Sequence, residues 1–239
     1  MKKTIKLIAL AVMLIMGGQA MAQTRGAMLL SGAFPLKDYA EFEGFDNFAL
    51  TSLDLDDDDA GAGIGFSVGF KWYFNVGVKG LGVMLSADGI YNGPNADLKK
   101  AYNNTEFAIG NLANAKFTST PKFINVPIML GLNYIYHFNP NLGIYVEAGA
   151  GGNMRFITDM VYSTESVITS TKTTHKYDMG FGFAYQVGAG FEVAKNLVIG
   201  CSFYDLGNTV VKGSVNDKIV DNFGTVRPMM IMARIGFSF

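Results

Sequence analysis

The sequence predicts an all-β fold: an eight-stranded antiparallel up-and-down barrel that crosses a membrane with its strands. Three observations carry this. The 239-residue chain is 49% hydrophobic and only 16% charged, with mean hydropathy +0.23, which fits neither disorder nor a coiled coil and more often meets lipid than water. Beyond residue 22 it holds no spanning helix, which needs about 20 consecutive apolar residues. The best candidate, 123–146, is free of Asp, Glu, Lys and Arg, but it contains Asn125, Pro127, Asn133 and His137 and is cut by Asn139-Pro140-Asn141. Finally, large apolar residues alternate with small ones at the strand period of two.

The first element is a leader. Residues 1–22 carry Met1-Lys2-Lys3, an apolar stretch from Leu7 to Met16 and the small-residue end Ala20-Met21-Ala22. That is the pattern of a secretory signal peptide cleaved before Gln23, which leaves 23–239 as the barrel domain. Strand one falls at 26–35, although Ala27 to Pro35 alternates poorly. Strand two, 60–74, puts Ala62, Ile64, Phe66, Val68, Phe70, Trp72 and Phe74 on one face, against Gly63, Gly65, Ser67, Gly69, Lys71 and Tyr73. Strands three, four and five fall at 81–91, 123–138 and 142–157. The sixth, 177–193, is the longest unbroken alternation, with every odd position apolar or aromatic from Tyr177 to Val193. The seventh and eighth are 197–204 and 228–239.

A soluble barrel also alternates, so the second face decides. It is mostly Gly, Ala and Ser, which suits a cramped interior and not a water-facing exterior; the large apolar side chains then point at lipid. The connections alternate long (36–59), short (75–80), long (92–122), short (139–141), long (158–176), short (194–196) and long (205–227). That order belongs to an outer-membrane barrel with long external loops, tight periplasmic turns and both mature termini in the periplasm. Trp72, Phe74, Tyr136, Phe138, Phe191, Phe237 and Phe239 form a belt of lipid-interface aromatics at the periplasmic strand ends, and Tyr91, Phe156 and Tyr177 mark the other rim.

The leader, the Pro-containing strand Ile124-Asn125-Val126-Pro127-Ile128, the stretch Tyr204-Asp205-Leu206-Gly207-Asn208 and the closing Arg234-Ile235-Gly236-Phe237-Ser238-Phe239 resemble the small outer-membrane β-barrel proteins, OmpX-like and OmpA-membrane-domain-like. The resemblance covers 23–239 and implies an outer-membrane location, with outer-membrane lipid and lipopolysaccharide as surroundings. It also implies recognition of the C-terminal strand, ending in Phe239, by the barrel-assembly machinery.

Chemistry-bearing motifs are few. Gly61-Ala62-Gly63-Ile64-Gly65 lies inside a strand, where a dinucleotide loop needs a following helix. The run from Asp54 to Asp59 opens like a calcium loop, but its sixth position is Asp59 and its twelfth Gly65, so an EF-hand is excluded and a solvated acidic loop expected. One Cys and two His leave no disulfide and no zinc or haem cluster, and neither cofactor nor metal is expected. Net charge is −1, or −4 without Lys2, Lys3 and Lys6, which offers nucleic acid no basic field. A lipid-modifying enzyme needs a nucleophile beside a base. His137 falls near a periplasmic turn, and only His175, with Ser166 or Ser170, offers a dyad, so an enzyme is not expected.

Eight strands enclose a space that side chains just fill. Lys71, Tyr73, Met84, Asp88, Tyr145, Glu147, Arg155, Asp178, Glu192 and Arg234 point inward by parity. Glu147 and Arg234 lie at similar depth, each five positions from a periplasmic strand end, and a paired lumen network is expected of them with Lys71 and Glu192 lower down. The expected function is structural, with surface interactions through the loops and an extracellular protein as ligand; a narrow channel for small solutes is the alternative. Strands five and six are expected to extend as a protruding hairpin with a free edge that takes an extended partner. The barrel is expected to be a monomer.

The exported protein is expected to begin at Gln23. Intact mass of the membrane-isolated chain checks this, and a mass that retains Met1 contradicts the export argument.

Overall fold

A backbone in hydrocarbon has no water to bond, so its strands must close on one another. In the computed structural model, which describes residues 24–41, 60–103, 114–165, 170–194, 196–221 and 223–239, eight antiparallel strands do so. They are β1 (Arg25–Leu36), β2 (Ala62–Asn75), β3 (Leu81–Pro94), β5 (Phe123–Asn139), β6 (Leu142–Ile157), β9 (Gly180–Val193), β10 (Leu197–Asp205) and β15 (Met229–Ser238). Each pairs with the next, and β15 returns to β1 from Leu36↔Met229 to Ala27↔Ser238. The leader with Gln23, the acidic run 54–59 and Ser166 lie outside the described residues. No helix among the described residues is long and apolar enough to cross a membrane.

Sequence alternation becomes inside and outside. Ile64, Phe66, Val68, Phe70, Trp72 and Phe74 are exposed along β2, and Phe181, Phe183 and Phe191 along β9, with Phe183 at 67%. Their neighbours Ser67, Lys71, Ala184, Gln186 and Glu192 are buried in the lumen. β1, whose alternation is poor in sequence, obeys the same rule because Leu29 turns inward between exposed Met28 and Leu30. The β3–β5 ladder breaks between Ala87↔Ile128 and Ile90↔Asn125, where Pro127 has no N–H to give.

The periplasmic turns are tight. Gly77 and Gly80 take φ of 83° and 82° between β2 and β3, and the Asn75 side chain accepts from the Gly77 N–H at 2.9 Å. Asn139 does the same for the Asn141 N–H at 2.9 Å, which makes Asn139-Pro140-Asn141 a side-chain-capped turn.

The described parts of the external connections form a cap. Their elements are a 3-10 turn (Lys37–Tyr39), α1 (Ala96–Asn103), β4 (Asn114–Ser119), β7 (Met160–Glu165), β8 (Ser170–Tyr177), β11 (Thr209–Val210), β12 (Gly213–Val215), β13 (Lys218–Val220) and β14 (Thr225–Val226). Five of them form one sheet in the order β13-β12-β8-β7-β4, and β11 pairs with β14. Tyr39, Leu98, Phe123, Met160, Tyr162, Val211, Phe223 and Val226 are buried beneath it, in a cluster continuous with Ile90, Met129, Tyr204, Met230 and Met232 of the upper lumen.

Four expectations need correction. The hairpin between the fifth and sixth barrel strands has no free edge of its own, because β12 pairs with β8 and β4 with β7. The sixth barrel strand starts at Gly180 and not at 177, because the chain leaves one sheet for the other at Asp178-Met179. Alternation runs through that junction but its meaning reverses: odd residues His175 and Tyr177 face the cap core, whereas odd residues from Phe181 face lipid. Tyr177 is therefore packed on Phe223, with centroids 5.4 Å apart, and is not a rim aromatic; Asp178 is exposed and not in the lumen.

Candidate functional site

The lumen and its two ends are where polar chemistry collects. An inner wall of glycine makes it possible: a side chain at Gly188 would meet Glu147 Oε1 at 3.0 Å, and Gly190 and Gly200 make room for the Tyr145 ring. Into this space Glu147 of β6 takes the Lys71 ammonium of β2, and both side chains are fully enclosed. Ser202 of β10 donates to the same carboxylate oxygen at 3.4 Å, and Arg234 of β15 stands 3.9 Å from it. Arg234 reaches further to Asp88 of β3 at 3.3 Å and bonds the Tyr204 hydroxyl, which in turn donates to Asp88 Oδ2 at 2.9 Å. The guanidinium carbon also lies 4.9 Å from the Tyr204 ring centroid. Two cations and two carboxylates from four strands thus form one buried, neutral layer across the barrel, in which each charge faces an opposite one while Glu147 Oε2 and Arg234 Nε and Nη1 have no hydrogen-bond partner among the described residues.

Glu192 does not join this layer. It pairs with Arg25 of β1 nearer the periplasm, and Arg25 also lies over the Tyr73 ring, 5.6 Å from its centroid. Below it opens a vestibule of about 730 Å³ lined by Arg25, Tyr73, Lys79, Asn133, His137 and Glu192. Asp88, Tyr204 and Arg25 are the members that sequence reasoning left out of the network. The inward parity of Asp88 was a usable signal; the partnership of Tyr204 was not, because it depends on which strands face each other across the lumen.

Above the layer, a second polar cluster bolts the cap to the wall. Arg155 donates to the carbonyls of Val226 at 2.7 Å and Gly207 at 3.2 Å. Asn153 donates to Asn125 at 3.1 Å, Asn125 to the Tyr39 hydroxyl at 3.4 Å, and Tyr39 to Asn92 at 3.4 Å. Strands β3, β5 and β6 are thereby tied to the first and last external connections. The Tyr204-Asp205-Leu206-Gly207-Asn208 stretch has a local role too: the Asp205 carboxylate accepts from Gly207 N at 3.0 Å, Tyr185 OH at 2.8 Å and Arg227 at 2.6 Å, locking the exit from β10.

The aromatics Trp72, Phe74, Tyr136, Phe138, Phe237 and Phe239 are all exposed on the outer surface near the periplasmic strand ends. His175 is buried under the cap with neither ring nitrogen hydrogen-bonded among the described residues, and the backbone of Ser170 lies five positions along the same strand, roughly 16 Å of rise away. His137 is exposed in the periplasmic vestibule.

A family model described as an outer membrane protein beta-barrel domain matches residues 8–238. Among solved structures the chain is similar to the attachment invasion locus protein Ail of Yersinia pestis, with 16% identity, 90% of this chain and 97% of that one covered, and a TM-score of 0.39. It is similar to Neisserial surface protein A at 13% identity, 90% and 97% coverage and a TM-score of 0.37. For a major outer membrane protein from Thermus thermophilus the figures are 11%, 91%, 99% and 0.43. No curated protein matches the chain.

Removing one partner of a buried ion pair strands the other charge, which costs about 3 to 5 kcal/mol. Lys71→Met is expected to destabilise the detergent-folded barrel by that order in urea titrations, and Glu147→Gln added to it to restore most of the loss. Arg234→Met should be rescued better by Asp88→Asn than by Glu147→Gln, following the 3.3 and 3.9 Å separations. Simple additivity in both double mutants contradicts the pairing.

Proposed function

We propose, for a chain that belongs to the outer membrane protein β-barrel family, that it acts as a closed membrane anchor whose work is binding at the cell surface. It sits in the outer membrane, strands crossing, with the folded cap outside. The observation that carries the reading is the neutral ion layer of Lys71, Glu147, Asp88 and Arg234, fully buried across the lumen with the cap packed over it. A barrel filled in this way offers solutes no path. The lipid-facing surface meets outer-membrane lipid and lipopolysaccharide, the C-terminal strand ending in Phe239 is what the assembly machinery reads, and the barrel works as a monomer.

Binding falls to the cap sheet, and its strongest candidate is β13, an edge strand among the described residues. β12 and β13 are joined by Asn216-Asp217 with φ of 47° and 66°, a two-residue turn that makes Val215 and Lys218 the hydrogen-bonded pair. The N–H and C=O of Ile219 then point away from β12, and its side chain is 83% exposed. An extended segment of a protein partner can add to such an edge.

Cells displaying the protein, screened against host extracellular proteins and lipopolysaccharide, are expected to capture a protein partner. Ile219→Pro removes the outward donor without touching the hairpin bonds, and it should abolish capture while leaving the barrel's heat-dependent gel shift intact. Capture undiminished by Ile219→Pro, or confined to lipopolysaccharide, contradicts the edge as the binding element.

A further inference from the structure

The cap core holds an imidazole among apolar and aromatic side chains. His175 is the register partner of Met160 on one side and Val215 on the other, and its ring lies between Tyr162 and Phe223 with centroids 5.7 and 5.9 Å away. It is buried, and neither Nδ1 nor Nε2 has a hydrogen-bond partner among the described residues. A neutral imidazole already sacrifices the hydration of one donor and one acceptor there; an imidazolium would leave two N–H groups and a charge unmet.

Among the described residues the surroundings offer that charge no counterion. β7 presents Met160 and Tyr162 to the ring, β12 presents Val215, the last connection presents Phe223, and Thr173 and Tyr177 share its face of β8. Tyr162 and Tyr177 are the titratable groups among these, and burial raises both, so they stay neutral in acid. Asp159 and Asp178 are exposed at the base of the sheet; Lys176 pairs with Asp217 at 2.8 Å, both exposed, and Lys218 is exposed on β13. The Tyr162 and Phe223 rings would attract a cation, but they are tilted 32° and 51° to the imidazole at centroid separations of 5.7 and 5.9 Å, which recovers part of the lost hydration only. Burial accordingly holds the His175 pKa below the ordinary histidine value.

We propose that His175 is an acid-sensitive latch on the extracellular cap: protonation of its ring shifts the cap from the closed sheet to an opened form in which β7, β8 and β12 separate from the core beneath them. This goes beyond the surface-binding reading and does not depend on it. The sign follows from linkage. The closed form holds His175 neutral and the open form returns it to water, so the closed cap is fully stable above the ordinary histidine pKa of about 6.5. Below that, the opening constant rises by up to about tenfold per pH unit until the closed-state pKa is passed. The barrel should not follow, since the chain's other histidine, His137, is exposed at the periplasmic end. An outer-membrane cap meets the external medium directly, which makes external pH the natural input.

The test uses the full chain in lipid nanodiscs. Amide protection factors, which divide out the intrinsic pH dependence of exchange, are measured from about pH 7.5 to 5.0, above the range where the cap's carboxylates titrate. Protection in β7, β8 and β12 should fall by up to about tenfold per unit below about 6.5 while β9 and β10 hold constant. His175→Phe keeps an aromatic ring in the slot and should flatten the dependence. The imidazole C–H resonances of the two histidines in the wild-type protein, told apart by His137→Gln, give a readout that no cap variant is needed for. A His175 pKa at or above the ordinary value, cap protection independent of pH, or unchanged pH dependence in His175→Phe each overturns the latch.

Discussion

The ladder between β1 and β15 closes the sheet, and the rest of the molecule answers to that closure. A sheet edge left open in hydrocarbon would expose unpaired N–H and C=O groups, so the last strand must return to the first. Ten register pairs join them, and Gly26 and Phe239 exchange backbone hydrogen bonds at 2.8 and 2.9 Å past the end of that ladder. Closing at eight strands fixes a bore that side chains just fill. Inward positions must then be small, or be polar groups that can satisfy one another. Glycine at 188, 190 and 200 and the neutral layer of Lys71, Glu147, Asp88 and Arg234 are two sides of this one restriction.

The cap obeys the opposite rule. In the barrel the apolar face is outside and the polar face inside; above the membrane the apolar face turns inward to a core of Tyr39, Phe123, Tyr162 and Phe223, and Lys172 and Lys176 face out. The two regimes meet at Arg155, whose guanidinium bonds carbonyls of the last connection from a barrel strand. Three long connections contribute strands to one sheet, so the outer surface is a folded one, with β13 and β4 at its edges among the described residues.

The barrel was largely legible in the sequence because its signal is local. A period of two with large residues on one face locates a strand without knowledge of its neighbours, and the observed ends differ from the expected ones by a few residues. The cap was not legible in the same way. β4, β12 and β13 are short, and their pairing joins residues up to about 50 positions apart, for which periodicity carries no signal. Alternation even misled at Tyr177, because two strands of different sheets follow one another with no break in pattern. In the lumen, counting from strand ends put Glu147 and Arg234 at one depth, and they stand 3.9 Å apart. What counting along a strand does not capture is the stagger between strands and the reach of a long side chain. Lys71 therefore meets Glu147 instead of lying lower, Glu192 turns to Arg25, and Asp88 and Tyr204 take up the rest of Arg234.

The central claim is that the buried ion layer shuts the lumen, leaving the outer sheet as the working surface. Ion current through the purified protein in a planar bilayer tests it most directly. The account predicts no steady conductance at neutral pH for the wild-type barrel, and the appearance of one when Lys71, Glu147 and Arg234 are together replaced by serine. A large, stable, voltage-independent conductance in the unmodified protein would contradict it and make the molecule a channel.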